Sequence, residues 1–365
     1  PGSVGPGMTV NNKRRAALGA ALAALMIGAA GCSADGGGHD DGTIVMGDSF
    51  SLPHPVGRGG TEQFIEGIED RGPDVGLGLE YYASGQLGKQ WDMPTVVRTG
   101  VADISVVSPS YVASEMPLSS VGDLPGLVQD SCQAGYALMD LMSEGGILYE
   151  EEFKPLNLRP LWIGVIPAYE SMTAGREVTV PDDLRGTVQR STGGAQDRIV
   201  DSVGAAGVGM PIGDLYEALT RGTVEGTVAS PVSITPYGLE EVIHYSTRGA
   251  NLGSFTVVYV INNDTWNGLS GEQRELIADL AADSQQSVCE ELNKSVGESY
   301  EAMEDAGVQF SDISGHTAEW EALLEPTRQG WVRDLESMGR PAGRVLEEFE
   351  RALAENEDRI EADLP

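Results

Sequence analysis

Short apolar runs alternate with longer helical stretches along the chain from Thr43 onward. This alternation is typical of βαβ units and of a largely parallel sheet covered by helices. The runs occupy residues 43–46, 77–82, 104–107, 161–166, 187–190, 227–229 and 255–261. The pattern predicts an α/β fold. A length of 365 residues leaves room for two domains of about 150 residues each.

Helical periodicity fills the gaps between these runs, with the apolar side chains of each stretch on one face. The predicted helices occupy residues 61–70, 131–143, 197–205 and 212–221. Ser270 followed by Gln273 predicts a capping box that begins a helix running toward Ala306. That helix would be roughly 50 Å long, more than the width of one domain, so we expect it to brace both domains.

The net charge of the chain is −33, from 56 acidic and 23 basic side chains. Such a charge repels the phosphates of nucleic acids and argues against DNA or RNA as a partner. It also repels an anionic ligand. Any such ligand must therefore be held by a local cation, which makes single arginines informative.

The N-terminal segment contains a basic cluster at 13–15 and an apolar run at 16–30 that ends in Ala-Ala-Gly-Cys32. The run is shorter than the roughly 20 residues that a membrane-spanning helix needs. Its end resembles the lipobox of bacterial lipoproteins, which implies that 1–31 form a leader and that Cys32 is lipidated. The polar stretch that follows is typical of a flexible tether. The alternative is an uncleaved anchor.

Two further cysteines, Cys132 and Cys289, follow Cys32 in the sequence. Disulfides persist in exported proteins, so these two residues can form one bridge. Two separately buried thiols are the alternative, since the sequence does not give the distance between them.

Signatures of catalysis do not occur in the sequence. None of the four histidines has the spacing of a metal site, and the chain has no G-x-S-x-G, Walker or G-x-G-x-x-G motif. Paired carboxylates occur by chance in so acidic a chain and carry no weight. We therefore expect a protein that is not an enzyme and that uses no metal or cofactor.

Two groups of motifs match the pattern of a known family. The first comprises residues 84–88, 96–98, 100–103 and 124–126, which match "G-Q-L-G... v-r-x-G-x-x-D... l-P". The second comprises residues 181–186, 188–190, 207–211, 214–222 and 224–226, which match "D-L-K-G-l-k-i-R... G-a-x-p-x-p... E-v-y-x-A-L-x-x-G-x-v-D-G". Together they resemble the solute-binding subunits of TRAP (tripartite ATP-independent periplasmic) transporters, and the resemblance follows that family's order and covers nearly all of the chain from Thr43.

The resemblance implies a receptor that captures a small organic acid outside the cytoplasm and delivers it to membrane subunits driven by an ion gradient. It also implies a two-domain clamp of the periplasmic-binding-protein type, with the ligand in the cleft between the domains. The alternatives are a binding protein of another uptake or sensory system, a lipid-anchored enzyme that uses carboxylates, and a structural lipoprotein.

Arg190 is the main candidate for binding the ligand. The run that contains it ends in Ser-Thr-Gly-Gly, which turns into the next helix, and ligands of open α/β sheets bind at such strand ends. A guanidinium matches a carboxylate with two parallel hydrogen bonds and keeps its charge. The resemblance implies that Arg190 anchors the substrate carboxylate. The alternative is a surface ion pair with Asp182, Asp183 or Asp197.

Glu170 and Ala229 depart from the family's sialic acid-binding members, which have an arginine and an asparagine at these positions. A sialic acid or dicarboxylate ligand is thereby disfavoured. Glu170 can instead face a cationic group of a zwitterion such as an amino acid or an ectoine-like solute, or it can lie exposed beside Arg176. The other candidates are aromatic or hydroxyl side chains near predicted strand ends: His54, Ser108, Tyr111, Trp162, Tyr169, Ser230 and Ser233.

The predicted organisation has four parts, beginning with the leader. Residues 1–7 precede Met8 and are left out of the fold. The lipidated cysteine and tether occupy 32–42. Domain I comprises 43–166 and 255–292, and domain II comprises 167–254 and 293–365 with helices at its end. The protein is expected in the periplasm or on the outer face of the cytoplasmic membrane, held there by its lipid alone.

Overall fold

The structure is a computed structural model that describes residues 42–363, with side chains described to residue 357. The predicted leader, Cys32 and the tether up to residue 41 lie outside the described part. Within it, no helix combines the length and apolar composition that crossing a bilayer requires.

Eleven strands lie in the described part of the chain. They are β1 (Thr43–Gly47), β2 (Gly78–Tyr82), β3 (Ile104–Val107), β4 (Leu158–Ile166), β5 (Glu170–Thr173), β6 (Val188–Ser191), β7 (Ala206–Gly209), β8 (Gly226–Ala229), β9 (Tyr245–Ser246), β10 (Phe255–Asn262) and β11 (Gln309–Phe310).

The α-helices of the described residues connect or cover these strands, and short 3₁₀ and π turns join them. They are α1 (Glu62–Arg71), α2 (Met93–Arg98), α3 (Ser131–Met142), α4 (Ala195–Ser202), α5 (Leu215–Thr220), α6 (Asn263–Gly268), α7 (Gly271–Asp305), α8 (Thr317–Ser337) and α9 (Ala342–Asp363).

The strands form two sheets, and each sheet with its covering helices is called a lobe. The first sheet has the order β2-β1-β3-β10-β4, and the second has the order β11-β9-β5-β8-β6-β7. In the first sheet β1 runs parallel to β2 and β3, whereas β10 runs antiparallel to β3 and β4. In the second, β6 runs parallel to β7 and β8, whereas β5 is antiparallel to β8 and β9. The prediction of a largely parallel sheet therefore holds for part of each sheet only.

Two segments carry the chain between the lobes. Residues 167–169 join β4 to β5, and residues 247–254 join β9 to β10. The segments are hydrogen-bonded to each other, because Tyr169 N donates to Gly253 O at 3.2 Å and Leu252 N donates to Tyr169 O at 2.8 Å. This paired crossover is the natural place for a hinge, since few residues would change conformation there.

The long helix α7 begins with the predicted capping box. Ser270 Oγ accepts from Gln273 N at 3.1 Å, and Gln273 Oε1 accepts from Ser270 N at 3.0 Å. The buried side chain of Val288 packs in the core of the first sheet, and that of Met303, near the end of the helix, packs in the core of the second. The helix thus braces both lobes, as predicted.

The C-terminal helices differ in the lobes that they contact. Helix α8 packs against α4 of the second lobe and, through Trp331, joins a buried cluster of the first, whereas α9 packs against α3 of the first lobe. Leu346 and Phe349 of α9 share a buried cluster with Leu138 and Ile163. The sequence prediction assigned this whole tail to the second domain, and the packing of α9 departs from that assignment.

A disulfide joins Cys132 in α3 to Cys289 in α7, across 157 residues of sequence. Asn293 supports the same junction, since its side chain accepts from Ser131 N and donates to Asp130, each at 2.7 Å. The bridge fixes α3 to the bracing helix.

Removing this bridge should destabilise the protein. Replacing both Cys132 and Cys289 by Ser should lower the free energy of unfolding by about 2–5 kcal/mol, because the unfolded chain regains the entropy that the closed loop removes. Urea unfolding measures this change. A reductant should destabilise the unmodified protein and leave the double variant unaffected; equal stability of the two proteins would contradict the prediction.

Candidate ligand-binding site

Arg190 lies near the carboxyl end of β6, between β7 and β8, where it pairs in register with Val208 and Thr227. Its side chain is almost fully buried, with 1% of the residue exposed. Nε donates to Met210 O at 2.9 Å, and Nη2 donates to Tyr111 Oη at 2.9 Å. Because Tyr111 belongs to the turn that follows β3, the guanidinium joins the two lobes.

Arg190 has no carboxylate partner within 4.0 Å among residues 42–357. The three aspartates that the sequence offered as alternatives are engaged elsewhere. Asp182 pairs with Arg185 at 2.7 Å, Asp183 accepts from Thr179 N at 2.9 Å, and Asp197 accepts from Ser191 Oγ. A buried guanidinium keeps its proton, and burying a charge without a counter-ion is costly. The site is therefore electrostatically incomplete without an anion.

Three tyrosines lie close enough to this cation for its charge to act on their pKa values. Burial raises the pKa of Tyr111, and the nearby charge of Arg190 partly offsets that rise. Burial likewise raises the pKa of Tyr169 and Tyr237, on which the charge of Arg190 also acts. The ring of Phe255 meets that of Tyr111 edge to face, with centroids 5.1 Å apart. Aromatic side chains of both lobes thus lie near Arg190.

His54 forms a second contact between the lobes. Its Nδ1 accepts from Val56 N at 3.1 Å, so Nε2 carries the proton and donates to Ser233 Oγ at 3.2 Å. Burial, with a smaller effect of Arg58, lowers the pKa of His54 to about 3. The imidazole is therefore neutral at physiological pH, and it packs beside Tyr237 with ring centroids 6.0 Å apart.

A cavity of about 330 Å³ opens between the lobes next to these residues. Its lining from the first lobe includes Ser49, Ser51, Ser84, Lys89 and Gln90, and from the second lobe Pro211, Asp214 and Tyr237. Lys89 Nζ lies 3.2 Å from Asp214 Oδ2, so an exposed ion pair crosses from one lobe to the other at this cavity.

Backbone packing also holds the lobes together near Arg190. Gly193 has φ 95°, and a Cβ there would lie 2.7 Å from Ser110 O. The turn after β6 therefore packs directly on the turn that carries Tyr111, and an L-residue with a side chain would separate them.

Two buried carboxyl groups lie close to the site. Asp48 follows β1 and accepts from Phe50 N at 2.8 Å, and burial raises its pKa to about 6. Asp123 accepts from Thr256 N at 2.6 Å and from Ser110 Oγ, and burial raises its pKa to about 7. Neither forms an ion pair within the described residues, so neither neutralises the charge of Arg190 by direct contact.

The sequence-predicted residues separate into two groups. The structure joins Tyr111 to Arg190, places Tyr169 within reach of the charge of Arg190, and joins His54 to Ser233 across the lobes. The remaining four residues, Ser108, Trp162, Glu170 and Ser230, have structural roles.

The carboxylate of Glu170 forms its hydrogen bonds within the hinge. Its carboxylate accepts from Thr247 Oγ1 at 2.6 Å, Gly249 N at 2.7 Å, Ala250 N at 3.1 Å and Tyr300 Oη at 3.1 Å. These four donors use its oxygen lone pairs. The carboxylate therefore ties β5 to the second crossover and to α7, and it is neither exposed beside Arg176 nor free to receive a ligand ammonium.

Trp162 lies in the core of the first lobe. It stacks on Tyr259 with centroids 4.3 Å apart and packs against Phe64 at 4.9 Å. Ser230 Oγ donates to Pro167 O at 2.6 Å, and the backbone oxygen of Ser108 accepts from Tyr111 N at 3.0 Å. Ser230 thus supports the crossover at 167–169, and Ser108 supports the turn that carries Tyr111.

Tyr237, Gln90, Asp48 and Asp123 were absent from the predicted site. Asp48 follows the first apolar run directly, so the strand-end rule that selected Arg190 was available for it. The other three follow no predicted strand, and the sequence carries no local signal for them.

Comparisons with known proteins agree on one family. The profile of the bacterial extracellular solute-binding protein family 7 (DctP) matches residues 54–333. A solute-binding protein from Albidiferax ferrireducens is 25% identical over 276 residues, which cover 72% of this chain and 78% of that protein.

Solved structures show the same fold. A TRAP solute-binding protein from Rhodoferax ferrireducens with copurified benzoate has a TM-score of 0.78 and 17% identity, covering 87% of this chain and 99% of that one. A TRAP periplasmic solute-binding protein from Chromohalobacter salexigens with bound D-glucuronate has a TM-score of 0.73 and 19% identity, covering 85% and 99%.

The two-lobed fold, with a buried arginine between its lobes that pairs with no described carboxylate, is that of a solute-binding receptor. The chain belongs to the bacterial extracellular solute-binding protein family 7, the DctP family. The resemblance to TRAP solute-binding subunits, the two-domain clamp and the expectation of a receptor rather than an enzyme are thereby confirmed. The extracytoplasmic part of the predicted location is confirmed by the same family.

The ion pair between Lys89 and Asp214 should slow release of the bound solute. Asp214→Asn removes an exposed pair, worth about 0.2–1 kcal/mol, that forms only when the lobes meet. The dissociation rate should rise up to about fivefold, and the difference should shrink at high salt. This rate can be measured by stopped-flow displacement of a bound solute. The solute is chosen by a thermal-shift screen as the acid that most raises the melting temperature of the protein.

Glu217→Gln is the matched control. It breaks another exposed ion pair, between Glu217 and Arg221 at the end of α5, which does not connect the two lobes. If both variants release the solute at the same rate, Lys89 and Asp214 have no role in closure.

Proposed function

We propose that the protein captures a small organic acid by pairing its carboxylate with Arg190, and that it delivers this acid to the membrane subunits of a TRAP transporter driven by an ion gradient. The observation that carries the proposal is the guanidinium of Arg190, which is 1% exposed and has no described carboxylate partner. A carboxylate supplies the missing negative charge and accepts two parallel hydrogen bonds.

Closure of the lobes follows from the same contacts. Arg190 of the second lobe reaches Tyr111 of the first, and His54 reaches Ser233 in the opposite direction. An acid that touches both lobes binds the closed form better and shifts the population toward it. The paired crossovers at 167–169 and 247–254 serve as the hinge, close to the predicted domain boundaries.

The ligands of the structural neighbours support a carboxylate. Benzoate and D-glucuronate, bound by two proteins of the same fold, each carry one carboxylate on a ring. The two ligands differ in ring type and in hydroxyl groups. The carboxylate is therefore the shared group that a single arginine can recognise. Delivery to paired membrane subunits is proposed because those neighbours are TRAP solute-binding proteins.

The anchoring role of Arg190 can be tested by calorimetry. The protein from residue 41 onward is screened by thermal shift against benzoate, glucuronate, succinate and pyruvate, and the strongest hit is titrated. Arg190→Gln should weaken binding by about 30-fold or more, since a charge-assisted pair of hydrogen bonds is worth about 2–4 kcal/mol.

Arg185→Gln is the control for this change, because Arg185 is an exposed arginine of the same lobe that pairs with Asp182. It should leave the affinity unchanged. A folded Arg190→Gln variant that binds the acid as tightly as the unmodified protein would sink the proposal.

We further propose that the receptor is a lipoprotein attached through Cys32, so that only a lipid touches the membrane. The support is the basic, apolar and Ala-Ala-Gly-Cys sequence at the N-terminus and the glycine-rich stretch after it. Metabolic labelling with radioactive palmitate in the producing bacterium should mark the protein, and Cys32→Ser should abolish the label. Label that persists in the variant would refute the anchor.

A further inference from the structure

We infer that the membrane subunits of the transporter dock on a surface at the mouth of the cleft, which the two lobes form together when they are closed. Its centre is the ion pair between Lys89 and Asp214, and its sides are the exposed rings of Trp91 and Tyr216. These four residues are called the rim. The inference rests on the proposed function and deepens it, because it assigns the surface that the transporter contacts.

Two large aromatic side chains lie exposed at the rim, one on each lobe. Trp91 is 43% exposed and Tyr216 is 38% exposed. In the described part of the chain, the other exposed large apolar side chains are Val101 and Met338. Trp and Tyr are enriched among the residues that contribute most to the affinity of protein interfaces. A pair of such rings beside one opening therefore indicates a docking surface.

The ion pair between Lys89 and Asp214 brings these two rings onto one surface. Lys89 Nζ lies 5.8 Å from the centroid of the Trp91 ring and 3.2 Å from Asp214 Oδ2. Asp214 directly precedes α5, in which Tyr216 is the second residue. Opening of the lobes would break the ion pair and separate the rings, because each lobe carries one of them. A partner that contacts both rings thus distinguishes the closed receptor from the open one.

The rim lies where the cavity between the lobes meets solvent. Lys89 and Asp214 line the 330 Å³ cavity, and both side chains are exposed. The cavity is also lined by Pro211, whose neighbour Met210 accepts the hydrogen bond from Arg190 Nε. It therefore leads from the surroundings of Arg190 to the rim. A transporter that receives the acid from the cleft has to cover this opening, which identifies the partner as the membrane subunits.

The charges on the rim fit a partner with cationic side chains. Asp92 accepts from Lys89 N at 3.0 Å, and Glu241 accepts from Tyr216 Oη at 2.8 Å. Among the described residues, neither carboxylate has a cation within 4.0 Å. A second copy of this chain, with its net charge of −33, would be repelled, and so would an anionic lipid surface. Lysines or arginines on the outer face of the membrane subunits would instead complement both carboxylates.

Solute uptake by intact cells tests the surface. The receptor gene is deleted from the producing bacterium and replaced by variants, and uptake is measured with the radiolabelled acid that binds best in calorimetry. Trp91→Ser and Tyr216→Ser should each lower uptake at least about tenfold at equal receptor levels, because a ring at the centre of an interface contributes strongly to affinity. Both purified variants should bind the acid within about threefold of the unmodified affinity.

Val101→Ser is the matched control for the loss of an exposed apolar side chain. Val101 lies before β3, at the end of that strand opposite to the turn that carries Tyr111, and so away from the mouth of the cleft. This variant should support the same uptake as the unmodified receptor and bind the acid equally well.

Photo-crosslinking in the same cells identifies the partner. A benzophenone amino acid in place of Trp91 or of Tyr216 should couple to a protein with several membrane-spanning helices, identified by mass spectrometry. Withholding the acid should reduce this coupling at least about fivefold, because open lobes separate the two halves of the rim. Coupling to a second copy of the receptor or to a soluble protein, or coupling that does not depend on the acid, would overturn the inference.

The outcomes separate the two proposals. If Trp91→Ser and Tyr216→Ser bind the acid and support full uptake, the rim is not the docking surface and the proposed function stands. A loss of uptake that is matched by an equal loss of affinity also overturns the inference, since the rings then act in capture. If the unmodified receptor binds no acid, or if deletion of its gene leaves uptake unchanged, the proposed function fails and the inference fails with it.

Discussion

The buried charge of Arg190 is the constraint on which the site depends. Its guanidinium is held by two neutral oxygens, Met210 O and Tyr111 Oη, and by no described carboxylate. Neutral acceptors satisfy hydrogen bonds but do not offset a full charge in a poorly polarisable interior. Under the proposed function, a ligand carboxylate supplies this missing charge as the lobes close around Arg190. Recognition of the acid would then be linked to the change of shape.

Closure also requires a hinge that restricts the lobes to one direction of rotation. The two crossovers are hydrogen-bonded to each other, and Glu170 ties the start of β5 to residues 247–250 and to Tyr300 of α7. Removing such a buried carboxylate would leave several donors unpaired, which is costly. The hinge is thus stiff except for rotation about the paired segments, while α7 spans both lobes and limits how far they separate.

The sequence predicted those parts of the fold that have a local signal. Apolar runs identified β1, β3 and β10, and the Ser270 to Gln273 pair identified the start of α7. Strands β5, β7, β9 and β11 were missed because they are short and are held by partners distant in sequence. Strand β7, with the sequence Ala-Gly-Val-Gly, contains no apolar run at all.

The same distinction applies to the site. Arg190 was found because a strand end is visible in the sequence. Tyr237 lies in a Pro-Tyr-Gly turn, and that pattern predicts the turn but not that it faces the cleft. Trp162 was selected for its type and position, yet alternate residues of a strand face opposite sides. The sequence did not determine which side of β4 faces the cleft. Glu170 illustrates the same difficulty, since its four donors come from residues 247–250 and from Tyr300, 77 to 130 positions away.

The large negative charge of the chain and its proposed affinity for an anion are compatible because the two effects act over different distances. Charges separated by more than about 8 Å are screened at physiological salt, so most of the acidic surface has little effect inside the cleft. The field there is set by Arg190, by the neutral His54 and by the buried carboxyls Asp48 and Asp123, whose raised pKa values reduce their negative charge near neutral pH. Burial thus gives the site an electrostatic character opposite to that of the surface around it.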